Sequence, residues 1–160
     1  MILSILLLFI HFVKRLSDKK IELSVPDFNV AKSFYKIFGF KVAWEEAPKG
    51  MNGYLVMKRE ESVLCFFCGN EQVSNHPYFK KFDPDTKAGF GVEFSIPVDG
   101  IEKYWQEVSR QLDPKHIMQP LQLQPWGIKD FRIEDLFGYY FRVNEPTDIL
   151  SELVLGEKEY

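Results

Sequence analysis

The chain has 160 residues, of which 46% are hydrophobic and 16% aromatic, enough for one folded core and too apolar for a globally disordered chain. A formal net charge of −3, with no basic stretch interleaved with aromatics, sets nucleic acid aside as a partner. Two Cys and three His leave little room for a Cys- or His-rich metal cluster.

The first thirteen residues, MILSILLLFIHFV, are almost wholly apolar. The run is shorter than the ~20 residues a membrane-spanning helix needs, and it lacks the flanks of a secretory signal. Positive charge follows at Lys14, Arg15, Lys19 and Lys20. Three readings stand: a membrane tether, a segment that docks on a partner, or a translated stretch upstream of the true domain. The last two fit better, because domain signals begin only near Lys19, so residues 1–18 are treated as an apolar extension.

KIELSV (20–25) alternates, with Ile21, Leu23 and Val25 on one side, and predicts a half-buried strand. Pro26-Asp27 stops it and offers an N-cap. Over 28–38, Val30, Phe34, Ile37 and Phe38 predict the buried stripe of a helix, and Gly39 a C-terminal stop. Strands are predicted over 40–46, 54–60 and 62–68, with a turn over 47–53. Residues 69–87 are rich in Asn, Asp and Pro and are expected to be a linker.

The order then repeats. AGFGVEFSI (88–96) predicts a strand with Phe90, Val92, Phe94 and Ile96 on one face. Residues 98–112 predict a helix buried along Ile101, Trp105 and Val108. HIMQPLQLQ (116–124) is extended, and Pro120 suggests an edge or a bulge. Lys129–Glu134 and Tyr139–Asn144 predict a hairpin around Asp135-Leu136-Phe137-Gly138. Each half is strand, helix, then three strands. Core packing is the expected role of Trp44 and Trp105.

VPDFNVAKSFYKIFGF, IPVDGIEKYWQEV and QPWGIKDFRIEDLFGYYFRVNE resemble segments of the glyoxalase/bleomycin-resistance/dioxygenase (vicinal oxygen chelate) superfamily, above all its bleomycin-resistance branch. The hairpin turn departs from the branch's Asp-Pro-x-Gly, with Leu136 where Pro is usual. The resemblance covers residues 19–146. It implies an α+β fold of two βαβββ modules, 19–68 and 88–146, forming a curved mixed sheet around a cleft, with residues 147–160 as a tail. It also implies a homodimer that shares modules. Under that fold, Glu22, Ser24, Cys65, Phe67, Glu93, Ser95, Tyr140, Arg142 and Asn144 would line the cleft.

The superfamily's metal positions fall on Lys20, Cys65, near Glu93 and on Arg142. Two of these are cationic and offer no lone pair, so no metal, cofactor or catalytic residue is expected. Lys20, Glu93 and Arg142 are expected either to balance one another or to select the charge of a ligand. His76 and His116 read as surface or turn histidines. Cys65 and Cys68, three apart in a strand, point to opposite faces and read as reduced core cysteines, which fits a cytoplasmic location.

Trp126, between Pro125 and Gly127, reads either as a ligand-stacking residue or as a seal of a dimer seam. The expected ligand-binding set is Trp126, Phe67, Tyr140, Arg142, Glu93, Lys20, Glu22 and Cys65. The resemblance implies a small-molecule-binding protein that sequesters a planar ligand, such as a glycopeptide antibiotic, without transforming it. Two alternatives stand beside it: a metal-dependent lyase, isomerase or dioxygenase of the same superfamily, and a non-catalytic interaction domain.

Overall fold

A computed structural model describes residues 21–49, 52–83 and 85–147. Strand β1 (Glu22–Val25) leads through Asp27 into helix α1 (Phe28–Ile37). The Asp27 carboxylate accepts the backbone N–H groups of Asn29 (2.6 Å) and Val30 (3.2 Å), satisfying two donors that the helix start leaves open. At the other end, Phe40 N–H reaches Tyr35 C=O (3.1 Å) and Gly39 N–H reaches Lys36 C=O (3.0 Å). This pairing needs a left-handed residue, and Gly39 has φ +77°.

Strands β2 (Lys41–Lys49), β3 (Asn52–Arg59) and β4 (Ser62–Cys68) complete the first unit. The sheet order is β1-β4-β3-β2, with β1 parallel to β4 and the rest antiparallel. The second unit repeats this plan. Strand β5 (Glu93–Pro97) is followed by helix α3 (Ile101–Ser109), then β6 (Ile117–Leu123), β7 (Lys129–Glu134) and β8 (Tyr140–Asn144). Its order, β5-β8-β7-β6 with β5 parallel to β8, matches the first. The two βαβββ units predicted from the alternation are therefore present. Strand β6 lies at the sheet edge, as Pro120 suggests, and its register slips between Gln119 and Gln122. Between the units lies helix α2 (Asn70–Asn75) and a helical turn over Phe79–Lys81, so the predicted linker carries regular structure of its own.

The two units share one core. The Tyr35 ring packs 5.1 Å from Phe66 in its own unit and 5.8 Å from Phe141 in the other. Its hydroxyl donates to Asp135 Oδ2 at 2.6 Å, in the β7–β8 turn. Burial, and then Asp135, push the Tyr35 hydroxyl well up, so it stays a donor. Asp135 Oδ1 also accepts the N–H groups of Phe137 and Tyr139, both at 2.8 Å. Its carboxyl is held above the usual range by burial, against the pull of these bonds. Tyr139 donates to Ser24 C=O (2.9 Å), Tyr104 donates to Phe38 C=O (2.9 Å), and Arg59 lies over the Tyr104 ring.

Several expectations change here. Helix α1 buries Phe28, Ala31, Phe34 and Tyr35, and Val30 is exposed. The stripe is rotated because the helix must meet Phe66 and Phe141 together. Ile21 is exposed and precedes the strand. Residues 88–91 form turns rather than strand, with Gly89 and Gly91 both at positive φ, which leaves Phe90 at 83% exposure and Val92 exposed. A side chain at Gly89 would lie 2.7 Å from the Tyr139 ring, so that turn exists to let Tyr139 dock. Strand β2 runs on to Lys49, through much of the predicted turn. Trp44, expected in the core, is half exposed on β2, which belongs to the sheet edge, whereas Trp105 packs 4.8 Å from Phe131 as expected. Cys65 and Cys68 are both reduced and buried. Among the described residues, no helix is long and apolar enough to cross a membrane. The apolar run at 1–18, Lys20 and most of the C-terminal tail lie outside the described residues.

Candidate functional site

In each sheet, residues paired across strands share a face. Pairing of Glu22 with Cys65 and of Ser24 with Phe67 puts these four on one side of the first sheet. Phe67 also pairs with Tyr54, Cys65 with Val56, Tyr54 with Glu46 and Val56 with Trp44. The opposite side carries Leu23, Leu55, Met57 and Phe66 and is closed by the core. The open face therefore combines Glu22 and Glu46 with the rings of Trp44, Tyr54 and Phe67.

A hollow of about 750 Å³ lies over this face. Its floor is Glu22, Glu46, Gly53, Tyr54 and Phe67, and its fourth side comes from the inter-unit segment through Val73, His76 and Phe79. Tyr54 donates its hydroxyl to Glu22 Oε1 at 2.6 Å. Burial first, then the bonds to Glu22 and Cys65, push the Tyr54 hydroxyl far up, so it remains neutral and Glu22 remains the acceptor. Glu46 has no cationic partner among the described residues. His76 stacks on Phe79 with 4.7 Å between ring centroids, and its Nδ1 accepts the Tyr78 N–H at 3.2 Å. That bond assigns the remaining ring proton of neutral His76 to Nε2.

The second sheet's open face differs. Glu93 pairs with Tyr140, Ser95 with Arg142, and Arg132 with Arg142. Glu93 lies 3.1 Å from Arg142 Nε and 3.7 Å from Arg132 Nη1, so one carboxylate sits between two guanidinium groups. A hydrogen bond with Tyr140, then Asp130, hold Arg132 firmly protonated against its partial burial. Asp130 is fully buried and accepts the side-chain amides of Gln119 (2.9 Å) and Gln124 (2.7 Å). Ser95 donates to Asn144 Oδ1 at 2.5 Å. On this face two carboxylates, Glu93 and Asp130, stand against two guanidinium groups, and Asp130 Oδ2, Arg132 Nε and Arg142 Nε are buried without a hydrogen-bond partner.

The expected ligand-binding residues thus fall into two groups. Glu22, Cys65 and Phe67 stand on the first sheet, and Glu93, Tyr140 and Arg142 on the second. Trp126 is half exposed in the turn between β6 and β7, where Gly127 takes φ +86°, and it does not line the hollow. Lys20 lies outside the described residues. Of the expected Lys20, Glu93 and Arg142 set, the described residues show the Glu93–Arg142 pair, joined by Arg132, a partner that sequence reading missed. Arg132 was within reach, because a hairpin centred on Asp135–Gly138 sets it opposite Arg142. Glu46, Tyr54, His76 and Phe79 were also missed. For His76 and Phe79 the available signal was the cluster HPYFKKF, whose aromatics do not suit a solvated linker. His116, read as a surface or turn histidine, is partly buried, with Nδ1 2.9 Å from Glu134 C=O and its ring edge-on to Phe34.

The fold implies a metal position in part of the superfamily, and the donors present do not fit one. Cys65 is buried, Glu93 is engaged by two guanidiniums, and Arg142 would repel a cation. Among the described residues, no three of His, Cys, Asp and Glu converge.

No family model and no curated protein matches the chain. Solved structures do. A bleomycin-binding protein complexed with bleomycin is 19% identical, with a TM-score of 0.57 over 82% of this chain and 100% of that one. A member of the glyoxalase/bleomycin resistance protein/dioxygenase superfamily from Sphaerobacter thermophilus DSM 20745 is 16% identical, with a TM-score of 0.56 over 79% and 94%. Lactoylglutathione lyase from Agrobacterium tumefaciens is 19% identical, with a TM-score of 0.55 over 78% and 90%. The chain has the fold of this superfamily, which is shared by a binding protein and an enzyme and so does not choose between them.

Proposed function

We propose that the chain binds a planar small molecule and sequesters it without chemical change. The observation that carries this reading is the hollow over the first sheet, where the rings of Tyr54 and Phe67 lie beside the carboxylates of Glu22 and Glu46. Stacking on such rings and burial of flat apolar surface would supply the affinity. The second face is tied up in its own ion pairs around Glu93, and none of its residues lines that hollow. A chain working in this way is expected to be a homodimer, in which the open face of one unit is covered by the other copy.

The test is to titrate the purified protein with flat heteroaromatic compounds, bleomycin among them, by calorimetry, and then to recover the compound and check its mass. Saturable binding near one site per chain, with compound returned unaltered over many hours, is the expected result. Product accumulating beyond one equivalent per chain sinks the sequestration reading and makes the protein an enzyme.

A further inference from the structure

The inter-unit segment is the part of the molecule that the binding reading above does not use. Its helix α2 and the turn after it stand over the first sheet, so that Val73, His76 and Phe79 close a side of the hollow that the sheet alone would leave open. Phe79 is 44% exposed, and its ring partners are His76 and Tyr78. A half-exposed ring on a cavity wall offers one of its faces to whatever the cavity holds.

Among the described residues that line the hollow, the carboxylates of Glu22 and Glu46 face it, and there is no Lys or Arg. The nearby Lys81 is turned onto the Tyr78 ring instead, 5.6 Å from its centroid. Tyr54 on β3 and Phe67 on β4 are cross-strand neighbours in the floor, and Phe79 presents its ring from the segment at the side. Ring faces are negative, and a cation between them is attracted by rings and carboxylates together. A neutral molecule of the same shape would gain only the stacking, and an anion would be opposed.

We propose that the inter-unit segment is a specificity element, and that Phe79 with His76 completes an aromatic, acidic box selecting an organic cation. This rests on the reading that the first face binds a small molecule. The second face, by contrast, has its charges neutralised and adds no preference.

The experiment compares three flat tricyclic probes of nearly equal size at pH 7.5: N-methylacridinium, neutral acridine and acridine-9-carboxylate. Affinities are measured by calorimetry on the full chain and on Phe79→Ala and Glu46→Gln. Both side chains lie outside the shared core, and circular dichroism checks that each variant is folded. The cation is expected to bind at least about tenfold tighter than the neutral probe, with an affinity that falls as salt is added. Phe79→Ala should weaken the cation about three- to thirtyfold while changing the neutral probe less. Glu46→Gln should flatten the salt dependence. If the neutral or anionic probe binds as tightly as the cation, or if Phe79→Ala leaves the cation unaffected, the proposal fails while the binding reading stands. If no probe of any charge binds, the binding reading fails with it.

Discussion

Asp135 is the residue on which the two units meet. It was legible in the sequence only as the first residue of a turn. In the fold it accepts two backbone N–H groups of its own turn and the hydroxyl of Tyr35, a hundred residues away. The two partners are not equivalent. Tyr35→Phe removes one donor from a carboxylate that keeps its backbone bonds, and should cost about 1 kcal/mol. Asp135→Ala strands a buried hydroxyl and two N–H groups at once, and should cost roughly 2–4 kcal/mol by the same accounting. Urea unfolding measures both, and equal losses would show that Asp135 matters only through Tyr35.

Helix α1 shows what a single element owes to its own residues and what it owes to others. Both ends are locally determined: Asp27 caps the start, and Gly39 takes the left-handed conformation that ends it. Asp27→Ala should cost about 1 kcal/mol, and Gly39→Ala about 1–2 kcal/mol because a Cβ is disfavoured at that φ. The two sites are at opposite ends of the helix, so the double variant should lose the sum within about 0.5 kcal/mol in denaturant titrations. A clearly larger loss would mean that the helix frays as one unit. The buried stripe between the ends was misread at Val30. An apolar residue on the edge of the stripe is indistinguishable by spacing from one inside it, and the docking of Tyr35 against Phe141 sets the rotation.

At the scale of the molecule, the two sheets have the same strand order and very different open faces. One is aromatic and acidic beneath a helical segment, and the other is a balanced network around Glu93. An aromatic face of this kind, with Trp44 exposed along the edge strand, is a surface a second copy would cover. Sedimentation should therefore give twice the 18.8 kDa chain mass, and Trp44→Lys should shift the protein towards the monomer. A monomer at every concentration, still binding ligand, would place the complete site within one chain.

The sequence by itself determined the βαβββ repeat, the caps of α1 and the β7–β8 hairpin, and it narrowed β6 to an edge or a bulge. These depend on alternation with period two, on helical spacing and on turn residues, all properties of neighbours along the chain. It also placed Glu22 and Phe67, and Glu93 and Arg142, on open faces, because a strand's alternation decides the face once its other side is apolar. Only the tertiary structure decided that Arg132 shares Glu93, that Tyr54 holds Glu22, and that His76 and Phe79 leave the linker to wall the hollow. Those contacts depend on strand register and on where a loop folds back. Both are set by long-range packing, in which residues far apart compete for the same space, and local pattern carries no record of that competition.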